Sequence, residues 1–209
     1  MSKRTIFIWD VHWCYDELKL LIKKLKLTKN DRVFFVWDYI NKWPKSYKVL
    51  KYIYKNRKQF FWVLWNHDYN FLKWLEWDNL TFEWEDIKKI IQKMEEHPKI
   101  LKYFKKMPLY IDEKDFLLIH WWLNPDKKLK DQTPLELTTT REINWKPWYD
   151  FYKWKKKIIY GHWALQWIHI RENTIWLDSG CCYWKYLSAY ILETWELIQQ
   201  KALEVYVEI

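Results

Sequence analysis

The chain has 209 residues, a formal net charge of +9 and three cysteines. This length is enough for one domain with a buried core, so we expect a single domain over residues 1–209. Because two of the three cysteines are adjacent, a disulfide framework and a Cys-x-x-Cys zinc pattern are both excluded. The first apolar run is too short for a signal peptide or for a membrane-spanning helix, which needs about 20 apolar residues. These features predict a cytoplasmic protein without a membrane segment.

Apolar periodicity predicts strands and helices that alternate through the first half of the chain. They are a strand over 4–9, a helix over 15–27, a strand over 33–37, a helix over 44–56 that begins near Pro44, a strand over 60–65, a helix over 84–96 and a helical segment between Pro98 and Pro108. The second half is typical of strands, which we place at 115–120, 157–161, 174–178, 186–193 and 196–206. We attribute most of the positive charge to lysines on the outer faces of these helices.

Five short polar segments each follow one of the apolar runs. They are Asp10-Val11-His12, 38–42, Asn66-His67-Asp68, His120 and Gly161-His162. Strand ends are where α/β sheets collect ligands. Carboxylates, imidazoles and one amide form a mixed oxygen and nitrogen set, which suits manganese, iron, zinc or cobalt better than calcium. One such segment occurs by chance and a lone histidine is usually structural, but five at successive strand ends predict a dinuclear metal site.

In these segments the chain resembles the calcineurin-like metallophosphoesterases, whose pattern is G-D-x-H-G, G-D-x-x-x-x-G-P, G-N-H-D/E, H-x-G and G-H. The resemblance extends from Ile6 to about Leu192. Within it, residues 10–18, 161–165 and 177–182 are similar to the symmetrical bis(5'-nucleosyl)-tetraphosphatases. The resemblance implies an α/β fold in which two packed mixed β-sheets are flanked by helices. In this four-layer sandwich the metals would lie at the shared edge of the sheets.

Tryptophan stands where the family pattern has glycine. The chain has two glycines and 19 tryptophans, whereas average usage would give about 15 glycines. The motif positions concerned are Trp9, Trp13, Trp37, Trp43, Trp65, Trp122, Trp167 and Trp184. A glycine would also suit position 195, in the turn between the last two strands, whereas the family itself has tryptophan at position 163. Since glycine allows positive φ and close backbone approach, we expect the replacements to impair folding and activity.

The resemblance implies that two divalent cations clamp a phosphate and activate a bridging hydroxide. Manganese is the expected metal, with cobalt, iron or zinc as alternatives. The implied metal ligands are Asp10, His12 and Asp38 for the first ion, with Asp38 bridging, and Asn66, His120 and His162 for the second. On residue type alone, His120 and His162 could instead be core histidines.

The remaining implied roles concern proton transfer and phosphate binding. His67 would protonate the leaving oxygen, and Asn41 stands where the phosphoprotein branch has an aspartate that orients this histidine. Arg141 lies near the place of a phosphate-clamping arginine, although it could be a surface arginine. Lys42 would add a positive charge for the substrate. Asp178 is interpreted as a supporting carboxylate.

The predicted function is hydrolysis of diadenosine tetraphosphate to two ADP molecules. One alternative is a protein serine/threonine phosphatase or a broad phosphomonoesterase that uses the same metals. Another is an inactive or poorly folded variant, because of the tryptophan replacements. A basic chain with many aromatic residues could also bind nucleic acid, but the tryptophans replace motif glycines instead of lining one strand face. The expected partner is therefore a dinucleoside polyphosphate or another phosphorylated substrate, and no oligomeric state is predicted.

Overall fold

The computed structural model describes residues 3–9, 11–36, 45–64, 68, 72, 85–139, 142–143, 146–161 and 168–206. The strands of the first sheet are β1 (Thr5–Trp9), β2 (Arg32–Val36), β3 (Phe60–Val63), β11 (Tyr186–Ile191) and β12 (Glu196–Lys201). Those of the second sheet are β4 (Tyr110–Asp112), β5 (Phe116–Ile119), β8 (Lys157–Tyr160), β9 (His169–Ile170) and β10 (Thr174–Trp176). A small hairpin pairs β6 (Glu142–Ile143) with β7 (Lys146–Pro147). The helices are α1 (Tyr15–Leu25), α2 (Ser46–Lys55), α3 (Glu85–Glu95), α4 (Pro98–Phe104) and α5 (Pro134–Thr139).

Both sheets are mixed, and each contains three neighbouring parallel strands. The first has the order β12-β11-β1-β2-β3, in which β1, β2 and β3 are parallel and β11 is antiparallel to β1. The second has the order β4-β5-β8-β10-β9, with β5, β8 and β10 parallel. In the first sheet Trp9 pairs with Val36 and Val36 with Val63. The chain therefore leaves β1, β2 and β3 at the same edge of that sheet.

Aromatic side chains fill the space between the two sheets. The Phe116 ring from the second sheet lies 4.9 Å from Phe7 and 5.0 Å from Phe34 of the first, in edge-to-face arrangements. All three side chains are buried. Such ring pairs stabilise the core beyond what the burial of their apolar area contributes. This cluster holds the two sheets face to face.

Helices cover the other face of the first sheet. The spacing of Leu18, Leu21 and Leu25 on α1 places all three on one side, and all three are buried in the core cluster of this face. Beside the second sheet, α5 begins with a capping box in which Thr133 and Glu136 exchange side-chain and backbone hydrogen bonds. An ion pair with Lys127, together with these hydrogen bonds, lowers the pKa of Glu136 to about 2.

The predicted fold class of two packed mixed sheets flanked by helices is confirmed. The main predicted strands and helices are present, but the last strand ends at Lys201 instead of residue 206. It ends there because the chain turns towards α1, where Leu203 N donates to Glu17 Oε1. The short strands β4, β6, β7 and β9 were not predicted, and Pro44 lies outside the described residues. Among the helices that the structure describes, none has both the length and the apolar character required to cross a membrane.

Candidate metal centre

The turn after β1 presents His12 with an unusual backbone. His12 has a left-handed φ of 45° and is half-buried. Cys14 N donates to Val11 O at 2.8 Å, which closes the turn before α1 begins at Tyr15. A non-glycine residue at positive φ is uncommon, and histidine is one of the types that tolerate it. The tight turn therefore fixes where the imidazole leaves the backbone.

At the edge of the second sheet, the ends of β5 and β8 continue to pair beyond the strands. His120 directly follows β5 and is 1% exposed, and its carbonyl oxygen accepts a hydrogen bond from Gly161 N at 3.0 Å. His162 is the next residue after Gly161. Burial raises the pKa of Tyr160, the last residue of β8, so its phenol stays neutral beside Gly161. The predicted position of His120 at a buried strand end is confirmed.

A contact across the two sheets joins this edge to the end of β1. The indole of Trp9 covers Gly161 so closely that a Cβ on Gly161 would lie 1.3 Å from Trp9 Nε1. No side chain larger than hydrogen fits at position 161 in this packing. Asp10 follows Trp9 and His162 follows Gly161 in the chain. The backbone before each of these two predicted ligands is therefore anchored at the same junction of the sheets.

The loop after β10 meets the same junction. The Ser188 hydroxyl donates to Ser179 Oγ at 2.6 Å, and Ser188 is the strand partner of Trp9. Asp178 is 1% exposed, and its Oδ1 accepts a hydrogen bond from Gly180 N at 3.0 Å. Gly180 has a φ of 63°, a conformation that glycine adopts without strain. Asp178 is thus a buried carboxylate in a loop that is tied to the end of β1.

Asp68 is a buried carboxylate to which the sequence reasoning gave no role. It is 3% exposed, a degree of burial that is rare for an acidic residue outside ion pairs and metal sites. The signal was its place in the segment Asn66-His67-Asp68, directly after two residues with assigned roles. We therefore include Asp68 among the candidate residues of the centre.

Eight residues to which the sequence reasoning assigned roles lie outside the described part of the chain. They are Asp10, Asp38, Asn41, Lys42, Asn66, His67, Arg141 and His162. Their roles as ligands, acid or phosphate contacts stay predictions. The same holds for His12 and His120 as metal ligands, although their places at the two sheet edges are those that the motif positions require.

Trp37, Trp43, Trp65 and Trp167 lie outside the described residues, and the described tryptophans at expected glycine positions behave in two ways. Trp9, Trp13 and Trp122 are buried and, within the described residues, are absent from the set with positive φ. At these places the expectation of a strained backbone is wrong. The replacement of glycine by tryptophan there adds side-chain volume to the core instead. Trp184 and Trp195 do have positive φ, of 63° and 60°, and both side chains are exposed. At these two positions the requirement for a glycine-like backbone is confirmed.

The donor set of the centre fits divalent transition metals. The imidazoles of His12 and His120 and the carboxylates of Asp68 and Asp178 offer nitrogen and oxygen donors, and three of these four residues are buried. Burying such groups is costly unless they bond to a partner or a metal. Cys14 and Cys181 are not part of this set, because they cluster with Glu17 instead. Burial raises the pKa of the Cys14 thiol, so Cys14 is a poor nucleophile as long as no metal ion binds it.

No model of a known protein family matches the chain. A symmetrical bis(5'-nucleosyl)-tetraphosphatase of Cellvibrio japonicus is 28% identical in an alignment that covers 93% of this chain and 97% of that protein. The protein PrpE of Oceanobacillus iheyensis, an asymmetrical bis(5'-nucleosyl)-tetraphosphatase, is 26% identical over 88% of this chain and 86% of its own length. These relatives extend over nearly the whole chain, so the similarity is not confined to the metal motifs.

Two solved structures share the fold. A candidate diadenosine tetraphosphatase superposes with a TM-score of 0.77 at 23% identity, covering 96% of this chain and 94% of that one. A metallophosphoesterase from Sphaerobacter thermophilus superposes with a TM-score of 0.60 at 12% identity, covering 97% and 89%. The resemblance seen in the sequence is confirmed: the chain is a relative of the symmetrical bis(5'-nucleosyl)-tetraphosphatases and has the calcineurin-like metallophosphoesterase fold.

Proposed function

We propose that this chain is a metal-dependent hydrolase that cleaves diadenosine tetraphosphate symmetrically into two ADP molecules. One observation carries the proposal: Trp9 lies against Gly161, and Gly161 N donates to the carbonyl oxygen of the buried His120, so the strand ends that precede Asp10 and His162 meet at His120. The full-length relatives, which are named for hydrolysis of such dinucleotides, support the substrate class. We further propose that the enzyme works in the cytoplasm.

The metals would be held by the residues that the motifs single out. They are Asp10, His12, Asp38, Asn66, His120 and His162. When bound, two divalent cations, with manganese as our first choice, offset phosphate charge and make a nearby water more acidic. The buried position of His120 keeps bulk water away and limits the orientations of its imidazole. A fixed ligand of this kind prepares the centre before the substrate arrives.

The chain's own residues complete the reaction. Water adds to one phosphorus of the central P–O–P bridge, that P–O bond breaks, and the leaving ADP takes a proton. His67 would supply that proton, while Arg141 and Lys42 bind the phosphate oxygens. Asn41 would position His67 by an amide contact. The net charge of +9 favours the approach of a tetraphosphate anion.

Product analysis tests the reaction. The purified protein is loaded with manganese and incubated with diadenosine tetraphosphate, and the nucleotides are separated by chromatography. We expect ADP as the sole product. A mixture of ATP and AMP would instead indicate asymmetrical cleavage, as in the name of the Oceanobacillus iheyensis relative. Turnover of a phosphopeptide without any ADP release would reject the proposal in favour of a protein phosphatase.

Matched histidine variants test the site. His120→Asn should lower ADP release by at least about a hundredfold, since even supporting residues of metal sites cost 10–100-fold. His169→Asn is the control, because His169 is exposed on the edge strand β9 of the same sheet. Circular dichroism and metal analysis accompany both variants. Equal activity of the folded His120 variant and the control would remove His120 from the centre.

A further inference from the structure

A second cluster of metal-binding groups lies beneath the turn after β1. One ligand atom each from Cys14, Glu17 and Cys181 lies within 4.8 Å of the others. The three residues are 0%, 0% and 1% exposed. Cys14 and Glu17 are three residues apart at the start of α1 and therefore share one side of the helix. Cys181 comes from the short helical turn after Gly180, so the cluster joins two distant parts of the chain.

The carboxylate of this cluster is held in a fixed orientation. Glu17 Oε1 accepts hydrogen bonds from Leu203 N at 2.9 Å and from the Tyr206 hydroxyl at 2.9 Å. The same hydroxyl lies 3.0 Å from Oε2. Burial, followed by the hydrogen bond to Glu17, raises the pKa of Tyr206, so the phenol remains a donor. Hydrogen bonds of this outer kind orient the carboxylates that bind metals in proteins.

Glu17 also differs from the other buried acids in its charge environment. Asp31 is buried with the Arg4 guanidinium 2.6 Å away. Asp68 and Asp178 are our own candidates for the phosphoesterase centre. Within the described part of the chain no cationic side chain forms an ion pair with Glu17, and the nearby Lys45 contacts Asp16 and Glu204 instead. The two hydrogen-bond donors offset part of the desolvation of the Glu17 carboxyl group, and a bound cation would offset more of it.

We propose that Cys14, Glu17 and Cys181 bind one thiophilic divalent cation of the zinc class, separate from the phosphoesterase metals. Two thiolates and one carboxylate are ligands that zinc accepts, at about 2.3 Å for sulfur and 2.0–2.2 Å for oxygen. Such bonds hold neighbouring ligand atoms of a tetrahedral site roughly 3.5–4 Å apart, so the cluster needs only a small contraction. The bound ion cross-links the turn that presents His12 to the loop that presents Asp178.

Cadmium is the probe, because thiolate-to-cadmium charge transfer gives an ultraviolet band that imidazole and carboxylate ligands do not produce. Chelator-treated protein is titrated with cadmium while this band is recorded. We expect saturation at one equivalent of thiolate-bound ion and displacement of the band by zinc. Cys14→Ser and Cys181→Ser should abolish the band, or reduce it to the amplitude of a single thiolate. Glu17→Gln should keep the band and weaken binding at least tenfold.

Cys182→Ser is the matched control, because Cys182 is equally buried beside Cys181 but lies outside the cluster. It should retain the full band. If the serine variants do not fold, the amplitude in the wild type decides, since two sulfurs per cadmium absorb about twice as much as one. No band in the wild type, a single-thiolate amplitude there, or a full band in both folded serine variants would overturn the proposal and leave the cysteines as packing residues.

An independent observation concerns the exposed tryptophans with positive φ. Trp184 and Trp195 have φ values of 63° and 60° and are 45% and 70% exposed. A bulky residue is a genuine outlier in this region, whereas glycine is the default there. Both backbones have the conformation that glycine adopts most readily, in a chain with only two glycines and 19 tryptophans.

We infer that the codon which specifies these tryptophans is translated as glycine in the cell that makes this protein. Glycine at position 9 would also remove the indole that lies over Gly161 and open the sheet junction to a ligand. Peptide mass spectrometry of the protein isolated from its own cells tests the inference. We expect glycine at 184 and 195 but tryptophan at 163, where the family pattern has tryptophan. Tryptophan at both 184 and 195 would overturn it.

Discussion

The backbone at position 195 offers a direct measurement of the cost of tryptophan in a glycine site. Trp195 ends the four-residue loop between β11 and β12, and its N–H donates to Ile191 O at 2.8 Å. The side chain is 70% exposed, so little packing depends on it. Its one described cation contact is with Lys157 Nζ, 5.5 Å from the ring centre. We compare Trp195→Gly with Trp195→Ala. Both variants remove the indole, but only glycine relieves the strain of the positive φ.

The magnitude follows from three terms. Left-handed φ costs a residue with a Cβ about 1–2 kcal/mol. The cation–π contact, worth about 0.5–1 kcal/mol at an exposed site, is lost equally in both variants. Glycine costs about 0.5–1 kcal/mol more than alanine through the entropy of the unfolded chain. The glycine variant should therefore be more stable than the alanine variant by about 0.5–1 kcal/mol, or about 1–4 °C in Tm for a chain of this size.

Trp154 supplies the control with the opposite expected sign. Within the described residues it is not among those with positive φ, and it is half-buried beside Tyr152. There the alanine variant should be the more stable one, by about 0.5–1 kcal/mol, because no strain is relieved. Urea unfolding of all four variants gives the two differences. If alanine exceeded glycine at position 195 as well, the argument from backbone strain would be wrong.

Four further predictions concern the core, the buried ion pair and the metals. Phe116→Ala should lower the free energy of unfolding by about 3–5 kcal/mol, since the ring fills the space between two other phenylalanines, and a loss below about 1 kcal/mol would contradict the packing described. Burial alone would raise the pKa of Asp31, but hydrogen bonds from Arg4 and backbone N–H groups lower it to about 2. Asp31→Asn should thus lower the free energy of unfolding, measured in urea at pH 7, by about 2 kcal/mol. The difference between variant and wild type should shrink as the pH falls from about 4 towards 2, because Asp31 in the wild type then becomes protonated. Arg4→Gln should show the same pH dependence, and a cost independent of pH in both variants would remove the ion pair as its cause. Chelation of divalent ions should abolish ADP release and added manganese should restore it, whereas a chelator-resistant rate would exclude metal-dependent hydrolysis.

The sequence predicted the elements of the fold well where one apolar face is long. The periodic leucines of α1 and the apolar runs of β1, β2 and β5 placed these elements within about two residues of their observed limits. The two-residue strands β6, β7 and β9 gave no signal, because pairing with a neighbour and not local pattern defines them. The end of β12 was misplaced for a similar reason, since the turn at Ala202 depends on its hydrogen bond to Lys185.

For the candidate site, the sequence predicted the kinds of residue and their places at strand ends. His12 and His120 do follow β1 and β5, as predicted, while their roles as metal ligands stay predictions. It did not reveal the burial of Asp68 or the cluster around Glu17. Sequence periodicity treats Cys14 as apolar and Glu17 as an ordinary acid in a first helical turn. Only the tertiary structure shows that Cys181, more than 160 residues away, packs against both.

The two kinds of tryptophan site differ in what they imply for the centre. At 184 and 195 the strain of a positive φ lies in exposed turns. It therefore lowers the stability of the fold without changing the metal centre. Trp9, the last residue of β1, has an unstrained backbone, but its indole fills the space against Gly161 where the two sheets meet. A side chain in that place competes with a ligand for volume, while it also buries apolar area and stabilises the sheet packing. Glycine at position 9 should therefore raise activity and lower stability, whereas glycine at position 195 should leave the activity of the folded protein unchanged.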